Sequence, residues 1–310
     1  MQSTRSSVLV VGSIAFDNLE MPHGTYENVL GGAATYSAIS ASFLAPTSIV
    51  GVVGHDFADS HLQSLRTRGV DTMGIERASG KTFVWRGRYS DDLMSRVTLQ
   101  TELNVFANFS PKLPDAYKKT PFLLLGNIHP ALQSIVLDQV TGPKLIAADT
   151  MNFWISGEPR ALDAMLKRID LLIINDEEAR ELSGIHNIPK AAADIHKRGP
   201  KRVIVKRGEH GALLFDSHGV FFTPAYPLED VRDPTGAGDT FAGGLMGYLA
   251  RNGEVTPQSL RKAMFFGAAL ASFCVEDVGT KRLLGLTQVD LAKRLRQFVD
   301  LVDHGGPLDI

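Results

Sequence analysis

Asp233-Pro234-Thr235-Gly236-Ala237-Gly238-Asp239-Thr240-Phe241-Ala242-Gly243-Gly244 is the stretch on which the reading of this chain turns. Its proline and glycines make a tight turn, and an apolar helical pattern runs on from Gly238. Backbone N–H groups at such a helix start point into one small volume, an anion hole reinforced by the helix dipole. An aspartate inside that hole competes with the anion the hole attracts. Asp239 makes sense there if it accepts a proton from a hydroxyl while the amides stabilise charge on a transferred phosphoryl group. The same residues also read as an acidic first-turn residue in a glycine-rich turn, with no chemistry attached. On the residues alone both readings stand.

Upstream, short β-branched and apolar runs alternate with helical patterns. The strand-like runs are Val8–Val11, Ser48–Val53, Phe122–Leu125, Leu145–Ala148, Leu171–Ile174 and Arg202–Val205. They are continuous rather than alternating, as expected of strands covered on both faces. Helical patterns at Gly32–Phe43, Asp59–Arg68, Ala131–Gln139, Arg160–Lys167, Glu177–Leu182 and Lys190–Lys197 lie between them. This order predicts a parallel sheet with helices on both sides. Ala212–Phe215 and Val220–Thr223 read as antiparallel strands around Gly219, followed by longer helices from Gly238, Pro257 and Gln288. One section breaks the rhythm. Thr82–Tyr89 and Arg96–Leu103 are rich in Arg, Thr and aromatics, too polar for central strands, and predict a small β flap joined by residues 16–29.

The composition excludes several classes. The chain has 310 residues, 44% hydrophobic and 21% charged, and is read as one domain spanning 1–310. Thirty-two Lys and Arg against 34 Asp and Glu leave a net charge of −2, no electrostatic case for nucleic acid. Cys274 is the single cysteine, so no intramolecular disulfide forms and a cytoplasmic location is expected. The longest apolar stretch, Ala263–Val275, falls short of the ~20 residues that span a bilayer. Gly80-Lys81-Thr82 imitates a P-loop, but the required first glycine falls on Ile75. Gly12 follows a strand, but Ile14 occupies the second glycine position of a dinucleotide fingerprint.

The Asp233–Asp239 segment closely resembles the C-terminal signature of the ribokinase-like (PfkB) family of sugar and nucleoside kinases. Weaker landmarks come in the family's order: Gly12 with Asp17, Gly31-Gly32, Asn175-Asp176-Glu177-Glu178, and Lys206-Arg207-Gly208-Glu209-His210-Gly211. The resemblance implies a Rossmann-like three-layer α/β/α domain with a mostly parallel central sheet and a small β lid from about 16–29 and 82–103. It implies an ATP- and Mg²⁺-dependent kinase acting on a hydroxyl, a primary one by resemblance. Asp239 would be the base, and the backbones of Gly236, Ala237 and Gly238 the anion hole. Asp17 and Gly32 would hold the acceptor, and Lys206, Gly208 and Gly211 the nucleotide side. Asn175 and Glu178 would organise magnesium through water, and Asp233 and Thr235 match positions near a potassium site in some relatives. A homodimer through the lid completes the expected partners. Bland alternatives remain: a strand-end cap at Asp17, a first-turn helix residue at Glu178, a solvated lysine at Lys206.

The chain also departs from the family pattern. Gly-Gly is often followed after three residues by a substrate-binding Asn; here Gly31-Gly32-Ala33-Ala34-Thr35 leads to Tyr36. A phenol is longer, has one polar atom and can stack on an apolar face. After Asp149 comes Thr150-Met151-Asn152-Phe153-Trp154, where Asn152 is expected to face the acceptor beside an aromatic wall. The aromatics favour a nucleoside, whereas Asp17 and Asn152 suit any hydroxyl-rich ligand. The reading puts a sugar first and a nucleoside second, ahead of a non-catalytic sensor or a dehydrogenase.

Overall fold

In the computed structural model, which describes residues 6–303 and 305–306, the run Val8–Val11 forms β1 with all four side chains buried. The outermost ends of the expected 1–310 domain lie outside the described residues. Val8 and Val10 enter one apolar layer, and Leu9 and Val11 enter the other. Side chains alternate faces along a strand, so burial on both faces makes the run continuously apolar.

After β1 come β2 (Ala15–Met21), β3 (Gly24–Gly31), α1 (Ala33–Ser42), β4 (Thr47–Val53), α2 (Asp59–Thr67) and β5 (Val70–Arg77). β6 (Phe83–Tyr89) and β7 (Arg96–Glu102) follow, then β8 (Phe122–Leu125), α3 (Pro130–Leu137) and β9 (Leu145–Ala148). The chain continues through α4 (Asn152–Gly157), α5 (Pro159–Leu166), β10 (Leu171–Asn175), α6 (Asp176–Ser183), α7 (Ile188–Lys197) and β11 (Arg202–Lys206). β12 (Ala212–Asp216) and β13 (Gly219–Thr223) turn back. The last helices are α8 (Ala237–Asn252), α9 (Pro257–Cys274), α10 (Lys281–Gly285) and α11 (Gln288–Val302).

The large sheet has the order β13-β12-β11-β10-β9-β8-β1-β4-β5, parallel from β11 to β5, with β12 and β13 antiparallel at one edge. α1, α8 and α9 cover one face; α3, α5, α6 and α7 cover the other. The strand order reverses between β1 and β8, and the crevice at the C-terminal ends of such strands is where open α/β sheets bind ligands. A second sheet, β3-β2-β6-β7, gathers the two segments read as a flap.

The mostly parallel sheet with helices on both faces agrees with the expected fold, and the anticipated strands and helices start and end within about two residues of the observed ones. β5, α4 and α10 were not anticipated. β5 is an edge strand with exposed and buried residues mixed, so it lacks the apolar run that marks a central strand. α4 and α10 have six and five residues, too short to display a helical period.

Candidate active site

β1 leads through Gly12-Ser13-Ile14 into β2, which carries Asp17, 4% exposed. A Cβ at Gly31 would stand 1.9 Å from Asp17 Oδ2, so any side chain there would push the Asp17 carboxylate out of its place. Gly32 then turns into α1 at φ 92°, held by Ser13, whose Oγ accepts from Ala33 N–H at 3.1 Å and whose carbonyl accepts from Ala34 N–H at 3.0 Å. Burial first, then the Asp233 and Asp239 carboxylates, push Asp17 up to about 8, against Arg96 and the Gly32 amide.

α8 supplies the second carboxylate. Its N-cap, Gly236, takes φ 74°, and a Cβ there would strike the Tyr36 ring at 2.4 Å. The first helical bond runs from Thr240 N–H to the Gly236 carbonyl at 2.8 Å. The amides of Gly238 and Asp239 therefore have no acceptor within the helix, while Ala237 N–H donates to the Pro234 carbonyl at 3.2 Å. Ser37 Oγ donates to the Asp239 carbonyl at 3.0 Å and Ser40 Oγ to that of Thr240 at 2.6 Å, fixing the helix start on α1. Asp239 is half-buried. Burial and the Asp149 charge push it up to about 7, opposed by Lys206 and Arg96.

Lys206 ends β11, in register with Asn175 at the end of β10. Its ammonium lies 3.5 Å from Asp149 Oδ2, and a Cβ on Gly238 would stand 2.8 Å from Nζ. Burial lowers its pKa, but Asp149, Glu178 and Asp239 outweigh that and hold the ammonium charged. Lys206 is therefore no solvated surface lysine. Asn175 caps α6: its Oδ1 accepts from Glu178 N–H at 2.8 Å, and Glu178 Oε2 accepts from Asn175 N–H at 2.7 Å. Glu178 is 7% exposed, and burial, then Asp149, push it up to about 7. Gly208 and Gly211, at φ 53° and 77°, bracket the turn from β11 to β12.

Asp233 is fully buried; its Oδ1 accepts from Thr235 N–H and its Oδ2 from Gly279 N–H, both at 2.8 Å. Tyr36 is 1% exposed, its ring lies beneath Gly236, and its hydroxyl has no hydrogen-bond partner among the described residues. The expected stacking platform is thus a packed support under the α8 turn, because the α1 face that carries Tyr36 points into the core. Asn152 is exposed at the start of α4, and Phe153 is 65% exposed, edge-on to Trp154 at 4.8 Å. Trp154 Nε1 donates to Asn127 Oδ1 at 2.9 Å. Among the described residues, the side chains of Asn152, Phe153 and Trp154 make no hydrogen bond to Asp149, Glu178, Lys206 or Asp239.

Asp149 is a participant that the sequence reading did not single out. It was noted only as a landmark, yet it is the carboxylate that faces Lys206; its position just after an apolar strand was the available signal. Arg96, on the flap strand β7, is exposed and makes no ion pair with Asp17, Glu178 or Asp239 among the described residues, but its charge lowers their pKa values. Nothing in the sequence aims a flap arginine at a particular site. Among the described residues, no three His, Cys, Asp or Glu side chains stand close enough to hold a metal between them. The arrangement suits a proton acceptor near neutrality beside unpaired amides and a cation that together attract an anion.

The profile of the pfkB family carbohydrate kinases matches residues 5–284. A cytidine kinase of Thermococcus kodakarensis is 30% identical over 250 residues, covering 79% of this chain and 88% of that protein. An Arabidopsis thaliana ribokinase complexed with ribose and ATP superposes with a TM-score of 0.75 at 22% identity, over 94% of this chain and 99% of that one. An E. coli protein provisionally named ribokinase II, solved with ATP and Mg²⁺, gives 0.77 at 22% identity, over 96% and 99%.

Proposed function

The chain belongs to the pfkB family of carbohydrate kinases, and from that premise we propose that it transfers the γ-phosphoryl group of ATP, with Mg²⁺, to a hydroxyl of a sugar. The observation that carries the reading is the meeting in one small volume of Asp239, Lys206 and the Gly238 and Asp239 amides, which have no acceptor among the described residues. A base is most effective with a pKa near the working pH, which is where burial and Asp149 bring Asp239.

In the proposed reaction the acceptor hydroxyl, steadied by Asp17 and the Gly32 turn, gives its proton to Asp239. Its oxygen bonds to the γ-phosphorus. The bond from that phosphorus to the β–γ bridging oxygen breaks, and ADP leaves with the electron pair. The Gly238 and Asp239 amides and Lys206 face the charge on the transferred group, with Gly236 and Ala237 shaping the turn. Gly208 and Gly211 shape the nucleotide side. Glu178 fits a role toward magnesium through water: Oε2 is used by the α6 cap, while Oε1 takes no protein hydrogen bond among the described residues. Magnesium keeps several waters and binds phosphates with few protein carboxylates, and it supplies neutralisation of phosphate charge. We further propose potassium near Asp233 and Thr235, a lid made of the small sheet that excludes water, and a cytoplasmic setting. β7 is an edge strand exposed along its length, which supports a homodimer formed through the lid.

A nucleoside is the second reading, favoured by the exposed Phe153 beside Trp154 and by the likeness to a cytidine kinase. ADP release would be measured with ATP, Mg²⁺ and ribose, fructose, cytidine or inosine. Turnover with a sugar supports the first reading, and turnover with nucleosides alone replaces it by the second. Absence of ADP with every hydroxyl acceptor in a wider panel removes both.

A further inference from the structure

Tyr89 closes β6 and is 7% exposed, packed with Leu19, Met21 and Val278 in the small sheet's own apolar cluster. That cluster accounts for the ring but not for the hydroxyl, which lies 2.7 Å from Thr235 Oγ1. Burial pushes the phenol up to about 12, so it is a neutral hydroxyl at pH 7. The rest of Thr235 is already engaged with the main body. Its N–H donates to Asp233, whose other oxygen is held by Gly279 N–H, and its carbonyl accepts from Cys274 Sγ at 3.5 Å. The next residue, Gly236, rests on the Tyr36 ring. The small sheet touches the same segment once more, where His23 Nε2, in the β2–β3 turn, bonds the Arg232 carbonyl at 2.8 Å. Both ties thus land between Arg232 and Thr235, on the residues that lead into the α8 start.

We propose that Tyr89 is a positioning residue, whose hydroxyl bond to Thr235 couples the small sheet to the anion-hole turn. This rests on the kinase reading. Asp17, on the acceptor side, belongs to β2, hydrogen-bonded to β6 in the same sheet, while Asp239 belongs to α8. The Tyr89–Thr235 bond links those two bodies close to the reacting groups. It sets the gap between the acceptor hydroxyl and the amides that receive the phosphoryl charge. Displacements of about 1 Å at such a gap lower rates by about a hundredfold, so a hydroxyl that only registers two elements acts on turnover.

The test uses Tyr89→Phe, which keeps the packed ring, with Thr235→Val and the double variant. Amide hydrogen exchange over residues 235–239 is measured without any acceptor. We expect Tyr89→Phe to exchange at least fivefold faster there, with an unchanged melting temperature and unchanged exchange in β8–β11. With whichever of ribose and cytidine the unaltered protein phosphorylates, kcat falls about tenfold while the KM for ATP stays within twofold. The double variant is no slower than Thr235→Val alone. Unaltered exchange at 235–239 overturns the proposal, as does unaltered kcat or a double variant whose losses multiply. If the unaltered protein phosphorylates no acceptor, the function reading falls while the exchange result still decides the coupling.

Discussion

Asp239 illustrates how one side chain acquires its chemistry from its neighbours. A carboxylate at a helix start is ordinarily favoured as the anion, yet burial and Asp149 raise this one to about 7. Lys206, 3.5 Å from Asp149, keeps the cluster from becoming wholly repulsive. Asp239→Asn preserves the shape and removes the base, so turnover is expected to fall by about 10²–10⁴. ATP affinity should hold, because the amides of Gly238 and residue 239 are untouched. Retention of more than a tenth of normal turnover would exclude Asp239 as the base. In the unaltered protein, kcat/KM should fall as pH drops through about 7, since protonated Asp239 cannot accept a proton.

At the scale of elements, the end of β10 and the start of α6 would, on the proposed reading, do two jobs with one pair of residues. The Asn175–Glu178 capping box satisfies helix-start donors, and an Asn cap is worth about 0.5–2 kcal/mol over Ala. Gln can also close a capping box, so Glu178→Gln keeps the cap while deleting the charge. The expected result is a several-fold higher Mg²⁺ requirement at unchanged melting temperature. An identical magnesium titration would leave Glu178 as a helix-start residue only. The turn before α8 offers a second test at this scale. Asp233 bonds the Thr235 and Gly279 amides and so joins that turn to the Val278–Thr280 loop. If potassium sits there, turnover should be several-fold higher in potassium than in sodium or a bulky organic cation; equal rates in all three would remove the ion from the scheme.

For the whole molecule, the carboxylates of β2, α6 and the α8 start make stability depend on pH. Asp17, Glu178 and Asp239 all have folded-state pKa values above their usual ones, mainly from burial. For such a group the favourable term is complete below the unfolded pKa near 4 and is lost as pH rises through the folded value. The ligand-free protein should therefore lose stability from these groups between about pH 4 and pH 8. Asp17→Asn should raise the melting temperature by more at pH 8 than at pH 5, while impairing acceptor use. An equal change at both pH values would mean that Asp17 is ionised in the fold throughout.

The continuous apolar runs at Val8–Val11, Phe122–Leu125 and Leu171–Ile174 announced a covered parallel sheet, because burial on both faces leaves no polar alternation to obscure them. The Asp233–Gly244 stretch announced a turn, a helix start and an acid within it, since each depends on local backbone geometry. What lay beyond the sequence was which side chains meet across the crevice. Asp149 reaches Lys206 only because β9, β10 and β11 lie side by side, and Tyr89 reaches Thr235 across 146 residues. Tyr36 marks the boundary most clearly. Its chemistry permitted stacking, but the α1 face it occupies packs beneath Gly236, and that burial is a property of helix packing that no single segment encodes.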